Sequence, residues 1–336
     1  MNRLTRLKSP LSVNLEITPR CNLSCFMCFA SRSCNSLDPS LDNLRKIIDE
    51  LSKAEVFEVK LFGGEFMVYP YWRDVVEYLV NRGFFVTFVS NGTLFSEESV
   101  SFLRKRGILG GGISIHGTPE IHDRITQIPG SCRMAIDGAK SCLDGGLQIS
   151  ILYTLNRLNM DCIERTVEFL LKEEVLQPGS QFTIGRLCPY GQAREDWEKA
   201  RLSLSDYIRI FNVINNLNHQ LPIEIIFGDA FPLCKLPERY HKYVSGCWQG
   251  TGFAHIDCQG GVKVCAILPG TIGNLLIEPL TEIWDKKLTE FRRLSWLPPK
   301  CQSCNNFCGG GCSASNVNSV IYGPDEFIVE EGAKDE

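Results

Sequence analysis

Nowhere in the 336 residues does an apolar run approach the roughly 20 residues that a membrane-spanning helix requires. The first ten residues carry basic side chains but no apolar stretch behind them, so a secretory signal is missing too. Charge of one sign is scarce: a net charge of −4 excludes the strongly basic surface of a nucleic-acid binder. There is no internal repeat and no low-complexity tract, which excludes a solenoid or a long linker. These absences leave a cytoplasmic globular protein as the expectation, with no membrane and no nucleic acid among its partners. The length suffices for one large domain and a smaller one.

Cysteine is not scarce. There are sixteen, and in the cytoplasm a disulfide framework is disfavoured. Clustered cysteines in a chain of this length read as metal ligands. Cys21, Cys25 and Cys28 stand at C-x3-C-x2-C, directly after the apolar run from Leu11 to Ile17. Three thiolates on one short loop suit iron–sulfur or zinc. Three is one fewer than a closed four-ligand site needs. Either a ligand arrives from elsewhere or one metal position stays open to another molecule.

Apolar spacing predicts strands and helices in alternation. Asp38-Pro39 reads as an N-cap and first helical position, followed by Leu41, Leu44, Ile47, Ile48 and Leu51 at helical spacing. Val56 to Phe62 reads as a strand ending in Gly63-Gly64-Glu65, and Phe84 to Val89 as one running into Ser90-Asn91. Ile108 to Ile115 is a glycine-interrupted strand carrying Ser114 near its end, with His116 just beyond. Gly138 weakens the helix expected over residues 133–143. Further strands over 149–155 and 182–187 and a helix over 205–217 complete six strand–helix units. Alternation of this kind gives a parallel sheet with helices outside, and six units are too few for a closed eight-stranded barrel. An open barrel and a doubly wound sheet both remain, and in either the ligands collect at the carboxyl ends of the strands. After Gly228 the composition changes. A hairpin is expected around Cys258-Gln259-Gly260-Gly261, one helix from Leu280 to Arg293, and a partly disordered acidic tail from Gly323.

The C-x3-C-x2-C loop resembles the signature of the radical S-adenosylmethionine (SAM) enzymes. The resemblance implies a 4Fe–4S cluster on Cys21, Cys25 and Cys28 whose open iron binds SAM. It also implies an open partial (β/α)6 barrel, placed at residues 11–220. Gly63-Gly64-Glu65 matches the family's glycine-glycine-glutamate motif, which receives the SAM amino group; Phe66 stands where relatives have proline. Met27 holds the place of an aromatic residue near adenine. Ser90, Asn91 and Ser114 match polar contacts to SAM. An arginine that meets the SAM carboxylate is expected where Thr126 stands, with Arg124 or Arg186 as substitutes. The plainer alternatives are a zinc knuckle for the thiols, ordinary turns for the strand ends, and structural roles for His116 and His122.

The cysteines beyond residue 230 resemble the SPASM extension, a small cysteine-rich α+β domain holding one or two auxiliary 4Fe–4S clusters, placed here at 230–320. The resemblance implies a first set of Cys247, Cys258, Cys265 and Cys312. A second would hold Cys301, Cys304 and Cys308, with Cys234, Asp325 or substrate as its fourth ligand. A structural zinc on Cys301, Cys304, Cys308 and Cys312 is the simpler reading. Of Cys34, Cys132, Cys142, Cys162, Cys188 and Cys234, most read as small buried hydrophobes, with a hydrogen-atom donor, as in radical epimerases, the alternative for one of them. The family implies maturation of a ribosomally made peptide or a protein, by crosslinking or epimerisation, with a reductant such as flavodoxin or ferredoxin. With no segment ahead of the barrel, the expectation is either that a separate protein recognises the leader or that the substrate lacks one. The competing expectations are the same chemistry on a small molecule such as a tetrapyrrole, and a non-catalytic metal-binding scaffold.

Overall fold

The computed structural model describes residues 7–30, 37–306 and 308–328. In β1 (Ser12–Glu16) Val13 and Leu15 are fully buried while Asn14 and Glu16 are half-buried. The same alternation shapes β2 (Glu58–Phe62) and β3 (Phe85–Ser90). A parallel sheet packed on both faces reads as continuous apolar runs. Here only one face is apolar. The helices cover that face, and the other, with Asn14, Glu16, Lys60 and Thr87, is left for a polar interior. Glu58 ties it together, accepting from Ser12 Oγ at 2.6 Å and Thr87 Oγ1 at 2.8 Å.

The parallel order continues through β4 (Gly110–Ser114), β5 (Gln148–Leu155), β6 (Gln181–Arg186) and β7 (Glu224–Phe227). Between the strands lie α1 (Leu41–Lys53), α2 (Trp72–Asn81), α3 (Glu97–Lys105), α4 (Pro119–Thr126), α5 (Ser131–Asp144), α6 (Ile163–Lys172), the single turn α7 (Trp197–Ala200) and α8 (Leu204–Gln220). These are six strand–helix units with a seventh strand. The chain then returns to the outer edge of β1. There β8 (Phe253–Ile256) pairs parallel with it, Ser12 opposite Phe253 through Leu15 opposite Ile256. The antiparallel strands β9 (Gly261–Lys263) and β10 (Thr271–Asn274) follow. One sheet therefore runs β10-β9-β8-β1-β2-β3-β4-β5-β6-β7 and does not close. The fold is an open partial barrel with a C-terminal extension that continues its sheet.

Several local expectations change. Ser40, not Asp38, caps α1, accepting from Asn43 N at 3.2 Å. Asp38 is held elsewhere, accepting from Thr18 Oγ1 at 2.6 Å and pairing with Arg20. The single helix expected over residues 280–293 is three pieces, with a π turn at Ile283–Lys287 between short helical segments. Its apolar face survives, with Ile283, Trp284 and Leu288 fully buried. Helix α4, β7 and the pairing of β8 with β1 had not been expected. In the tail, expected to be partly disordered, Asp325, Phe327 and Ile328 are buried. Residues 329–336, and Cys34 with its neighbours, lie outside the described residues.

Gly138 has a steric reason rather than a weakening role. A Cβ there would lie 1.9 Å from the carbonyl oxygen of Gly92, so α5 can lie against the turn after β3 only with glycine at this point. Gly138→Ala is therefore expected to destabilise the protein by about 1–3 kcal/mol through overpacking, instead of gaining the ~1 kcal/mol that alanine brings to an exposed helix. Urea denaturation of the two proteins distinguishes these outcomes.

Candidate active site and cluster-binding region

The carboxyl ends of β1, β2 and β3 meet around the cysteine loop. Gly64 N donates to Thr18 O at 2.9 Å and Glu65 N to Arg20 O at 2.8 Å, so the chain leaving β2 runs against the segment that leads into Cys21. A Cβ on Gly64 would lie 2.1 Å from Arg20 O. Only glycine permits this approach of two backbones. The other side of the loop is tied to α4, where Ser24 N and Phe26 N donate to Thr126 O and Ile125 O at 3.0 and 3.1 Å.

Cys21, Cys25 and Cys28 are half-buried. The Cys21 sulfur accepts from Leu23 N at 3.4 Å and Asn91 Nδ2 at 3.7 Å. Such donors favour a thiolate and tune a cluster bound to it. Asn91 also reaches Asn22 Oδ1 at 2.8 Å, so the turn after β3 clasps the cysteine loop. Among the described residues no three His, Cys, Asp or Glu side chains form a group able to hold one metal ion. A four-iron cluster asks for something else, one thiolate on each of several irons, and three thiols on one anchored loop, with N–H donors aimed at sulfur, fit that need.

Glu65 is buried, 1% exposed. Its carboxylate accepts from Ser90 Oγ at 3.0 Å and from Asn91 N at 2.8 Å. Burial nonetheless raises its pKa to about 7 from the usual 4.5. A buried carboxylate with this affinity for a proton suits an incoming ammonium. Phe66, in place of the family's proline, packs its ring against Trp72, Phe88 and Phe95, so the residue serves the core under the motif.

The other expected contacts are distributed unevenly. The Ser90 hydroxyl is committed to Glu65 and to Gly92 N. Ser114 is half-buried at the end of β4. Met27 is buried in a small apolar cluster with Ile125, Leu187 and Ala193, its sulfur 3.8 Å from Asn156 Nδ2. His116 and His122 are buried, with rings stacked 5.7 Å apart and both pKa values lowered by burial. Each Nδ1 accepts a backbone N–H, which is a structural role.

Arg124 is exposed. Arg186 cannot stand in for the carboxylate-binding arginine. Its side chain is wholly buried, donating to Asp325 Oδ2 at 2.6 Å and Glu326 Oε1 at 2.9 Å. Tyr207, Phe231 and Phe327 surround its guanidinium at 5.0–5.3 Å. Asp325 is correspondingly spent and is not a free ligand; it also accepts from Cys312 N at 2.9 Å.

The first C-terminal thiol set is only partly the expected one. Cys265 and Cys312 pack in one cluster with Cys188. Cys247 is exposed and lies near the Cys312 and Cys265 thiols. Cys258 stands apart. It follows β8 beside Glu16 and Asp257, and burial and those carboxylates raise it to about 12. Its place is explained by the register of β8 on β1, which sets the end of β8 against Glu16. In the second set Cys301 lies near Cys234, Cys308 and Cys304. Cys188, read from sequence as a buried hydrophobe, is indeed buried, but beside thiols. Its position two residues past β6, at a carboxyl strand end, was the available signal.

The model of the radical SAM superfamily matches residues 15–170, and that of the SPASM iron–sulfur cluster-binding domain matches residues 247–305. The chain is 26% identical over 325 residues to the AdoMet-dependent heme synthase of Methanosarcina barkeri (strain Fusaro / DSM 804), covering 90% of this chain and 91% of that one. It is 27% identical over 346 residues to the mycofactocin maturase MftC of Mycobacterium ulcerans (strain Agy99), covering 96% and 89%. Among solved structures, Streptococcus suis SuiB bound to precursor peptide SuiA superposes with a TM-score of 0.73 at 17% identity, over 96% of this chain and 76% of that one. At that identity the likeness is one of fold.

Two outcomes follow from this geometry. Because the folded protein holds a proton on Glu65 that the unfolded chain releases near 4.5, apo-protein stability falls as pH rises from 4.5 to about 7. Glu65→Gln is expected to remove that loss in thermal melts while weakening SAM binding about ten- to hundredfold, read by equilibrium dialysis. Asp325→Ala strands a buried arginine and is expected to cost about 3–5 kcal/mol in denaturant titrations.

Proposed function

The chain belongs to the radical SAM superfamily and carries a SPASM cluster-binding domain, and from that premise we propose that it modifies a peptide or protein substrate, as a maturase forming a crosslink or inverting a centre. Its cofactors are 4Fe–4S clusters and SAM. Together the SAM-binding cluster and SAM supply a reductively generated 5′-deoxyadenosyl radical that takes a hydrogen atom from substrate.

The chain's own residues divide the remaining work. Cys21, Cys25 and Cys28 hold the SAM-binding cluster and leave one iron to SAM. Asn91 and the Leu23 amide tune it through the Cys21 sulfur. Glu65 receives the SAM ammonium, fixed by Ser90 and the Asn91 amide, while Gly63 and Gly64 let the backbone pass close by. Ser114, at the end of β4, and Met27, in the loop, would contribute to holding the nucleoside part of SAM. Cys247, Cys265, Cys301, Cys304, Cys308 and Cys312 belong to the auxiliary clusters.

The observation that carries the peptide reading is the half-buried polar face of the sheet, with Asn14, Glu16, Lys60 and Thr87 below the cysteine loop. Backbone amides of an extended peptide need such partners, and an unclosed sheet offers a way in along its length. MftC is a maturase by name, and SuiB has been crystallised with its precursor peptide. The heme synthase supports a second reading, the same chemistry on a tetrapyrrole. A flavodoxin- or ferredoxin-type reductant and a separate leader-binding protein are the partners this function would use. No helix among the described residues is long and apolar enough to cross a membrane.

The test is anaerobic turnover of reconstituted protein with SAM, dithionite and candidate precursor peptides, followed by mass spectrometry. Loss of two hydrogens marks a crosslink, and deuterium uptake from D2O without net loss marks epimerisation. A peptide left unchanged while a tetrapyrrole with propionate side chains is processed would transfer the proposal to the second reading. Cys25→Ala is expected to abolish 5′-deoxyadenosine formation; unchanged SAM cleavage in that variant would remove the enzyme reading.

A further inference from the structure

The C-terminal motif leaves each auxiliary set one thiol short once Cys258 is set aside. The structure brings a cysteine from outside the motif to each. We propose that Cys188 completes the set of Cys247, Cys265 and Cys312, and that Cys234 completes the set of Cys301, Cys304 and Cys308. This rests on reading the region as cluster-binding, and it assigns the ligands.

Cys188 is 4% exposed and shares one packed cluster with Cys265 and Cys312. Its thiol packs beside that of Cys312 and donates to Arg186 O at 4.0 Å. Its segment is fixed on both sides. Arg186 anchors it to Asp325, whose carboxylate also holds Cys312 N at 2.9 Å. On the other side the Tyr190 hydroxyl donates to Asn316 O at 2.8 Å. Cys247 approaches because Gly250 lies against Val264, where a Cβ would stand 3.2 Å from Val264 Cγ1, one residue ahead of Cys265.

Cys234 lies in a short 3-10 turn, Leu233–Lys235. Pro232, just ahead of it, abuts the glycine turn after Cys308, with Pro232 Cδ 2.8 Å from where a Cβ of Gly311 would stand. Cys234, exposed as a residue, lies near Cys301, as do Cys308 and Cys304. Two cysteines that precede Cys247, the first cysteine of the motif, thus close two sites on the C-terminal side.

On loading, each thiol gives up its proton to solvent and forms one sulfur–iron bond. Four thiolates on four irons leave no iron open. Both auxiliary clusters are then closed, unlike the site on Cys21, Cys25 and Cys28. Neither ligates substrate, which leaves them electron transfer and structural support.

The test uses the full chain with Cys21, Cys25 and Cys28 all changed to Ala, so that only auxiliary clusters are counted. After anaerobic reconstitution, about eight irons per chain are expected, two 4Fe–4S clusters. Cys188→Ala and Cys234→Ala are each expected to lose about four irons, or to convert one cluster to a three-iron form with its own EPR signal. Cys258→Ala is expected to keep all of them. Cys188→Ser and Cys234→Ser, which preserve shape and fold by circular dichroism, are expected to retain iron with shifted Mössbauer parameters. Full iron with unshifted spectra in the Cys188 and Cys234 variants would overturn the assignment, as would loss of a cluster in Cys258→Ala. A background protein that takes up no iron would overturn the cluster reading itself, a failure separate from misassigned ligands.

Discussion

Arg186 donates to Asp325 and Glu326 with no access to water and three aromatic rings around its guanidinium. Burying a full charge is expensive, and the Coulomb gain offsets the cost only when the partner and the geometry are both fixed. The pair therefore acts less as a source of stability than as a constraint. It admits one seat for the segment after Cys312, because any other leaves a bare cation in the core. That seat sets Cys312 beside the end of β6. It also fixes Asp325 and Glu326, in a stretch that composition alone reads as loose. The arginine that a motif search offers to a ligand carboxylate is consumed in holding the protein's own.

At the opposite edge of the site a second constraint operates, built from close backbone approach. The strand-end glycines, the Asn91 clasp and the Glu65 network join the ends of three strands to one loop. None of these contacts is strong alone. Together they make the geometry of the cysteine loop depend on the position of β2 and β3, so the loop is positioned by the barrel rather than by its own turn preferences. The rings of Phe66, Trp72, Phe88 and Phe95 beneath Glu65 hold this arrangement rigid from below.

Much of this was legible from the chain itself. The cysteine spacing, the glycine-glycine-glutamate strand end and the hairpin around Gly260 are local patterns, and each lands on the element expected of it. The Ser40 cap was obscured by Asp38-Pro39, a stronger cap signal by composition whose carboxylate is diverted to Thr18 and Arg20. Helix α4 hides behind Thr118-Pro119-Glu120, a start signal too brief to outweigh the polar residues around it. The pairing of β8 with β1 and the burial of Arg186 had no local signal at all, and the neighbourhood of Cys188 had only its place at a strand end. Each is a contact between distant parts of the chain, set by register and packing, and the separation of Cys258 from the other C-terminal thiols follows from the first of them.

The β1–β8 pairing also bears on how the protein is made. β1 leaves the ribosome long before β8, which emerges only after β2 to β7 have been synthesised. Until then β1 offers an unpaired edge, and the wall of the site beside Glu16 is missing. Contacts of such sequence separation slow folding and expose intermediates to wrong pairings. The two regions that look like separate modules in sequence are thus one folding unit. The barrel waits for its last partner, and the cysteine loop at the end of β1 lies beside an unpaired edge during that wait.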